Sequence, residues 1–177
     1  LFSEVKGNDF KAMRDHALLE IMYATGLRAT EIITLRRSDV NLRKNTVTLT
    51  NGGNKRSIPL YPVASDALRT YMMNFTQLLR TSRYLFVNVR GEQMTRQGLW
   101  KIISGYAKKA GIKKKISPTM LRNSFAAHLI QNGADLKSVQ EMMGHLNIST
   151  TLVYSKLEKT RISRVYKNAH PRAKNRY

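Results

Sequence analysis

Two consecutive helical segments with matching start and stop signals constrain the fold of this chain most strongly. Ser117 precedes Pro118, and serine is a good helix N-cap while proline is tolerated at the first helical position. This segment is predicted to end near Gly133, and Asp135 caps a second segment that ends at Gly144. The pair resembles a helix-turn-helix in spacing, but helical cores often show that spacing, so simple helix packing remains the more economical interpretation.

Apolar residues at helical spacing predict that most of the remaining chain is helical as well. Further helices are predicted at residues 10–25, 30–37, 65–75 and 96–110, and around residues 162–166. Their apolar faces, and those of the two segments above, are expected to be buried. These faces include Trp100, Ile130 and Leu136. The end of the chain from His170 is basic and is expected to fray.

One β-hairpin interrupts the helices. Residues 46–50 alternate apolar and polar side chains and are rich in β-branched residues, as in a strand. Residues 51–54 read Asn-Gly-Gly-Asn, a strong turn signal, and residues 56–60 return as the second strand. Residues 84–87 are expected to add a third strand. The predicted fold class is mainly α with a small antiparallel β-sheet (α+β), spanning residues 1–177 as one domain with a basic tail at 159–177.

Positive charge dominates the composition. Lysine and arginine number 31 against 11 acidic residues, which gives a formal charge of +20 and favours a polyanionic partner. No acidic residue occurs between Glu92 and Asp135. The basic residues of this interval that we expect to contact phosphates are Arg96, Lys101, Lys113, Lys114 and Lys115. A well-solvated surface or a ribosomal-type binder would explain the composition alone equally well.

Other features exclude whole classes of site. The chain has no cysteine, so it has neither disulfides nor thiolate metal sites. No apolar run is long enough for a membrane-spanning helix. The first residue is Leu1 rather than methionine, and we expect the chain to be a fragment whose N-terminal part is missing.

Four residues stand out as a candidate site. Arg28 lies in the tight connection between the first two predicted helices, where a fixed backbone can aim its planar fork of donors at phosphate oxygens. Arg122 lies on the helix that Ser117 caps, His145 follows its glycine, and Tyr154 comes nine residues later. Taken singly, a core aromatic explains the tyrosine and a cap-like residue explains the histidine. Their joint order and spacing require another explanation.

That order resembles the catalytic domain of the tyrosine recombinases, the integrase family, and more closely its bacterial Xer-type members. The resemblance covers nearly the whole chain. It rests on ATGLRATEI at residues 24–32, LRNSFAAHLIQNGADLKSVQEMMGH at 121–145, STTLVY at 149–154 and HPRA at 170–173. It also implies that the DNA-clamping domain found at the N-terminus of family members is absent from this chain.

The resemblance implies a reaction and a partner. Tyr154 would attack a DNA phosphodiester, giving a 3′-phosphotyrosine link and a free 5′-hydroxyl without ATP. Arg28 and Arg122 would stabilise the charge of the transition state in place of a metal, and His145 would donate a hydrogen bond or assist proton movement. No cofactor is implied. The partner would be double-stranded DNA, bound by a homotetramer that exchanges its C-terminal segments, in the bacterial cytoplasm with the nucleoid.

Two positions depart from the family pattern. Thr119 stands where the family has histidine, and the lysine of the hairpin turn falls on Gly52 or Asn51, depending on the alignment. Lys55, across the turn, is the candidate replacement. Two hypotheses therefore stay open: an active recombinase, and a recombinase-fold DNA-binding protein with impaired cleavage, such as a regulator or a decayed prophage integrase. A basic RNA-binding or ribosome-associated domain would fit the charge but not the ordered motifs.

Overall fold

The computed structural model of the chain describes residues 1–51, 53–144 and 156–174, and it confirms the mainly helical class with one small antiparallel sheet. The α-helices are α1 Phe10–Thr25, α2 Ala29–Thr34, α3 Pro62–Asn74, α4 Thr76–Arg80, α5 Arg96–Lys109, α6 Pro118–Gln131, α7 Leu136–Met143, α8 Lys156–Ala169 and α9 Pro171–Lys174. The strands are β1 Val40–Asn41, β2 Thr46–Asn51 and β3 Asn54–Pro59. Short 3-10 turns occur at Phe2–Glu4 and Arg37–Asp39.

Helix α1 is the central element of the core. Its N-cap Asp9 accepts a hydrogen bond from the backbone N–H of Ala12 at 2.9 Å, and its C-cap Gly26 has φ 60°. The helix packs against α3, α6 and β3, so side chains all around its axis are buried. Most side chains buried around this helix are apolar, including the fully buried Leu18 and Ile21, and the buried carboxylate of Glu20 is paired with Arg172 and Tyr61.

The sheet has the order β1-β2-β3, with both pairs antiparallel. Val47 lies opposite Ile58 and Leu49 lies opposite Arg56, which confirms the predicted hairpin and sets its register. Because side chains alternate between the two faces of a strand, Arg56 points to the same side of β3 as the buried Ile58. An arginine on the inner face of a strand is unusual, because a buried charge needs a partner.

The predicted third strand at residues 84–87 is wrong. The third strand is β1, which pairs with β2 through a tight connection in which Asn41 accepts a hydrogen bond from the backbone of Lys44. Tyr84 and Val87 form only isolated bridges, to Arg36 and Gln93. Core burial of the segment outweighs its strand propensity, since its apolar side chains pack inward. The fully buried ones are Leu85, Phe86 and Val87.

Three predicted core residues are instead exposed. The exposed fractions are 42% for Trp100, 46% for Ile130 and 61% for Leu136. Ile130 lies in the last turn of α6 and Leu136 is the first residue of α7, so both extend past the elements that cover the middle of each helix. Trp100 lies beside the buried Leu99 but faces a groove of about 500 Å³ between α5 and the loop that follows it.

The prediction that the chain frays from His170 is also wrong. The side chain of His170 is fully buried, and its ring lies 4.8 Å, centroid to centroid, from those of Tyr61 and Tyr166. Beside it, Arg172 forms a 2.9 Å ion pair with the buried carboxylate of Glu20 on α1. Residues 170–172 therefore pack against the core instead of leaving it.

In the described part of the chain, no helix has the length and apolarity needed to cross a membrane. The same residues contain no group of three or more histidine or acidic side chains arranged to hold a metal ion.

Candidate active site

Arg28 occupies the N-cap of α2, immediately after the turn that ends α1. Its backbone N–H donates a 2.8 Å hydrogen bond to Glu31, the third residue of the helix, which is half of a capping box. The preceding Leu27 is buried, so the turn is anchored on both sides. The guanidinium is 44% exposed and therefore accessible to a ligand in solvent.

Arg122 projects from α6 into the junction of two other helix ends. Its guanidinium donates to the carbonyl of Gly26, at the end of α1, and at 2.7 Å to the carbonyl of Met143, at the end of α7. Terminal helix carbonyls lack partners within the helix and carry the negative end of its dipole, so a cation stabilises both ends. Arg122 is 7% exposed and thus fixed within the fold.

Burial, together with the nearby charges of Arg28 and Arg56, lowers the pKa of Arg122 to about 10, and the charge of Glu31 opposes this shift. A group with that pKa is still a cation at neutral pH. The guanidinium groups of Arg28 and Arg56 both approach Oε1 of Glu31, at 3.7 Å and 2.8 Å, and that of Arg122 lies near enough for their charges to affect its pKa. This region is where Arg28 and Arg122 were predicted to meet.

Glu31 is the anion at the centre of this cluster. Its carboxylate is buried, with Oε1 2.8 Å from a guanidinium nitrogen of Arg56 and 3.1 Å from the amide of Asn51. Burial alone would raise the pKa of Glu31, but the hydrogen bond from the Arg28 backbone and the charge of Arg56 together hold it below its ordinary value. The ionised carboxylate offsets the repulsion among the arginines.

Glu31, Asn51 and Arg56 were not predicted as residues of the arginine site. A signal for Glu31 was present, because it follows Arg28 by the three-residue spacing of a capping box. Arg56 could have been found from strand alternation, which places it on the inner side with Ile58, where a charge needs a partner. The contact of Asn51 with Glu31 depends on tertiary packing and has no local signal.

Of the remaining predicted catalytic residues, the structure describes only Lys55. His145 and Tyr154 lie outside the described residues, as does Gly52; in sequence, the histidine directly follows the C-cap Gly144 of α7. Lys55 is exposed on β3 opposite Thr50, with its position defined by the hairpin.

The predicted phosphate-contacting residues are all exposed. Arg96 is the first residue of α5 and Lys101 lies on its second turn. The three lysines at 113–115 lie in the loop beyond the other end, where they line the groove that contains Trp100. At 14 residues, α5 is roughly 20 Å long, so the structure separates these residues into two groups.

Chemically, the junction is suited to binding an anionic group that carries several oxygens on one central atom, such as a phosphate. Two arginines from different helices present planar donors, and the fold holds both backbones in place. Preorganised positive charge of this kind stabilises negative charge that develops in a transition state, with little reorganisation at the moment of reaction.

The chain is similar to proteins of one known family. Residues 2–161 match the family model described as the phage integrase family. A "Tyrosine recombinase XerD" from Listeria innocua is 48% identical over 166 residues, covering 91% of this chain and 56% of the relative. Another protein of that name, from Halalkalibacterium halodurans, is 44% identical over 177 residues, covering 98% of this chain and 59% of the relative.

Solved structures show the same fold. The XerA recombinase superposes with a TM-score of 0.72 at 29% identity, covering 93% of this chain and 60% of that one. The XerH site-specific recombinase, bound to its difH substrate before cleavage, also gives 0.72, at 24% identity, covering 94% of this chain and 47% of that one. The present chain thus spans little more than half the length of the curated relatives it matches. With the family model matched over most of its length, the chain belongs to the phage integrase family, whose relatives here are tyrosine recombinases of the Xer type.

Proposed function

We propose that this chain is the catalytic domain of a site-specific tyrosine recombinase that cuts and rejoins double-stranded DNA. The observation that carries the proposal is the junction where Arg122 joins the ends of α1 and α7 beside Arg28, in a chain whose motifs follow the recombinase order. Because its proposed substrate is DNA, we also expect the protein to lie with the nucleoid in the cytoplasm.

In the proposed reaction the hydroxyl oxygen of Tyr154 attacks the phosphorus of one DNA phosphodiester. The bond from phosphorus to the 5′-oxygen breaks, the 3′-phosphate becomes esterified to tyrosine, and the 5′-oxygen leaves as a hydroxyl after gaining a proton. The tyrosine hydroxyl loses its own proton in the same step. Attack of a 5′-hydroxyl on the phosphotyrosine reverses these changes, so the bond energy is conserved and no ATP is required.

Arg28 and Arg122 would bind the non-bridging oxygens of this phosphate, and their charge would be felt most as the transition state gathers negative charge. His145 would donate a further hydrogen bond or assist proton movement. The two groups along α5, Arg96 with Lys101 and the three lysines at 113–115, would contact flanking backbone phosphates.

Protonation of the leaving 5′-oxygen is where this chain departs from its family. Asn51, which occupies the lysine position in one alignment, donates its amide to Glu31 and has no proton to give at neutral pH. Lys55 is the candidate general acid, and loss of such an acid typically costs about 10²–10⁴-fold in rate. The impaired-cleavage alternative stems from this difference, but the named relatives favour the recombinase.

The decisive experiment uses a nicked duplex that traps a covalent intermediate, since the short strand beyond the cleaved bond diffuses away. The duplex is selected from a randomised pool by this chain, or by the whole polypeptide where the natural one is longer. We expect a protein–DNA adduct on a denaturing gel, and we expect Tyr154→Phe to abolish it while retaining DNA binding. Specific binding without any adduct would instead support the impaired alternative.

Arg122→Ala provides a second arm of the experiment. It should abolish adduct formation, because the charge it removes lies at the reacting phosphate. Lost phosphate contact should also lower the slope of log affinity against log salt by about one unit. An unchanged slope together with normal adduct formation would remove Arg122 from the proposed site.

A further inference from the structure

We propose that Arg56 is a positioning residue of this active site, which acts on Arg28 through Glu31 and on the end of α7 through Gly144. The inference rests on the proposed function, because it gives Arg56 a part in the same phosphodiester chemistry. Arg56 would not itself contact the reacting atoms.

The side chain of Arg56 is more buried than an arginine on the surface of a hairpin would be. Its side chain is only 14% exposed, on β3 opposite Leu49. Burying a guanidinium is costly unless it is paired, and Arg56 is paired with Glu31 Oε1 at 2.8 Å. An exposed arginine or an apolar residue would serve the hairpin with no such cost. The buried pair therefore indicates a role beyond strand formation.

The ion pair of Arg56 with Glu31 determines how freely the guanidinium of Arg28 can bind a phosphate. The two oxygens of Glu31 have separate partners: Oε2 accepts from the Arg28 backbone at 2.8 Å, and Oε1 binds Arg56. The guanidinium of Arg28 itself stays 3.7 Å from Oε1, a loose approach. With Arg56 gone, Oε1 would draw the Arg28 guanidinium closer than the 3.7 Å of its present ion pair. Arg56 thus occupies the carboxylate and leaves Arg28 available for phosphate.

The second contact concerns the point where the chain leaves α7. Gly144 has φ 70°, and a Cβ placed there would lie 2.8 Å from Cζ of Arg56. The guanidinium is therefore packed flush against the backbone of this C-cap. The preceding carbonyl, of Met143, binds Arg122. Arg56 and Arg122 together hold the turn from which the chain continues to His145.

The test compares adduct formation by the parent chain and by Arg56→Met on the selected nicked duplex, at saturating DNA and at a temperature where both are folded. We expect the rate to fall roughly 10–100-fold, the size of loss that a misplaced catalytic group produces, with a much smaller change in affinity. Arg56→Lys keeps a cation beside Glu31 and should recover part of the rate.

Arg69→Met is the matched control, because Arg69 pairs with Asp66 on the exposed side of α3 and its loss removes the same charge. This variant should cleave at the parental rate. A rate for Arg56→Met within about twofold of the parent would overturn the proposal. So would a large loss of affinity with an unchanged rate at saturation, since that would make Arg56 a DNA contact.

A double-mutant cycle with Arg28→Lys tests the route through Glu31. If Arg56 acts on Arg28, Arg56→Met should cost much less in the Arg28→Lys background than in the parent. Fully additive losses would mean that the two residues act independently, which contradicts the proposal.

The cycle also separates failure of the inference from failure of the proposed function. If the parent chain forms no adduct, the cleavage reaction is refuted, and the same four proteins are then compared by their affinity for the duplex. Non-additive losses of affinity would still support the coupling of Arg56 to Arg28, and additive losses would overturn it.

Discussion

At the scale of single residues, Arg122 has a structural role and a proposed chemical one. Its guanidinium donates to the carbonyls of Gly26 and Met143, and both of these residues are buried. Arg122→Met keeps much of the side-chain volume and removes these bonds. We expect a loss of about 1–3 kcal/mol in the free energy of unfolding for each carbonyl left without a partner, measured by urea denaturation.

Arg69→Met, which removes the exposed ion pair of Arg69 with Asp66, is again the control, here for the stability of Arg122→Met. Arg69→Met should change stability by no more than about 0.5 kcal/mol, because exposed ion pairs contribute little. Equal stabilities for Arg122→Met and Arg69→Met would show that the two helix ends do not depend on the buried guanidinium.

At the scale of elements, the end of α1 depends on a glycine for two independent reasons. Gly26 has φ 60°, which disfavours any side chain, and a Cβ there would lie 2.9 Å from Cε1 of Phe125 on α6. Gly26→Ala should therefore combine about 1–2 kcal/mol of backbone strain with about 1–3 kcal/mol of overpacking. Thermal and urea unfolding would measure the total loss.

Two other glycines separate these contributions. Gly111 has φ 68° with open space around its Cα, so Gly111→Ala should show the backbone strain alone. Gly105 lies inside α5, also in open space, and Gly105→Ala should stabilise the protein by about 0.5–1 kcal/mol through helix propensity. If Gly26→Ala cost no more than Gly111→Ala, the close packing of α1 against α6 would be contradicted.

Among the elements, the helix caps were the most predictable from the sequence, and the choice of third strand was the least predictable. The caps at Ser117 and Asp135 were predictable, because each side chain bonds a backbone N–H three residues on, as those of Asp9 and Thr95 also do. The choice of third strand was not, because it depends on competition between sheet pairing and core burial across the fold. In the candidate site, Arg28 and Arg122 were recognisable from motifs, whereas the role of Arg56 emerges only from its packing against α2 and α7.

At the scale of the whole molecule, His170 links the segment that follows α8 to helix α1. Its Nε2–H donates to the carbonyl of Tyr23 on α1, and Nδ1 accepts from the backbone of Arg172, so the neutral ring is fully used. Burial lowers the pKa of His170 to about 4, while the bond to Tyr23 opposes the shift and the charge of Arg172 adds to it.

A pH dependence of stability follows from His170. Its folded pKa, about 4, lies below the ordinary 6.5, so between these values the unfolded chain binds a proton that the folded chain excludes. Stability is therefore complete above pH 6.5 and falls as the pH drops towards 4, by about 3 kcal/mol from this residue. Urea unfolding at pH 7, 6, 5 and 4 would measure the decline.

His170→Phe retains an aromatic ring and removes the titration. It should be less stable than the parent at pH 7, since it loses two hydrogen bonds, and its stability should fall less steeply between pH 6.5 and 4. The difference between the two slopes cancels the contributions of the carboxylates. Parallel curves for the two proteins would contradict the assignment of this acid sensitivity to His170.

The most direct test of the whole account is to identify the residue that carries DNA after cleavage. The selected nicked duplex, labelled at its 5′ end, is incubated with the protein, digested with protease and nuclease, and analysed by mass spectrometry. We predict a peptide in which Tyr154 bears a nucleotide through its 3′-phosphate, together with a released strand that has a free 5′-hydroxyl. Linkage to another residue, linkage through a 5′-phosphate, or recovery of unmodified Tyr154 alone from DNA-bound protein would contradict the account.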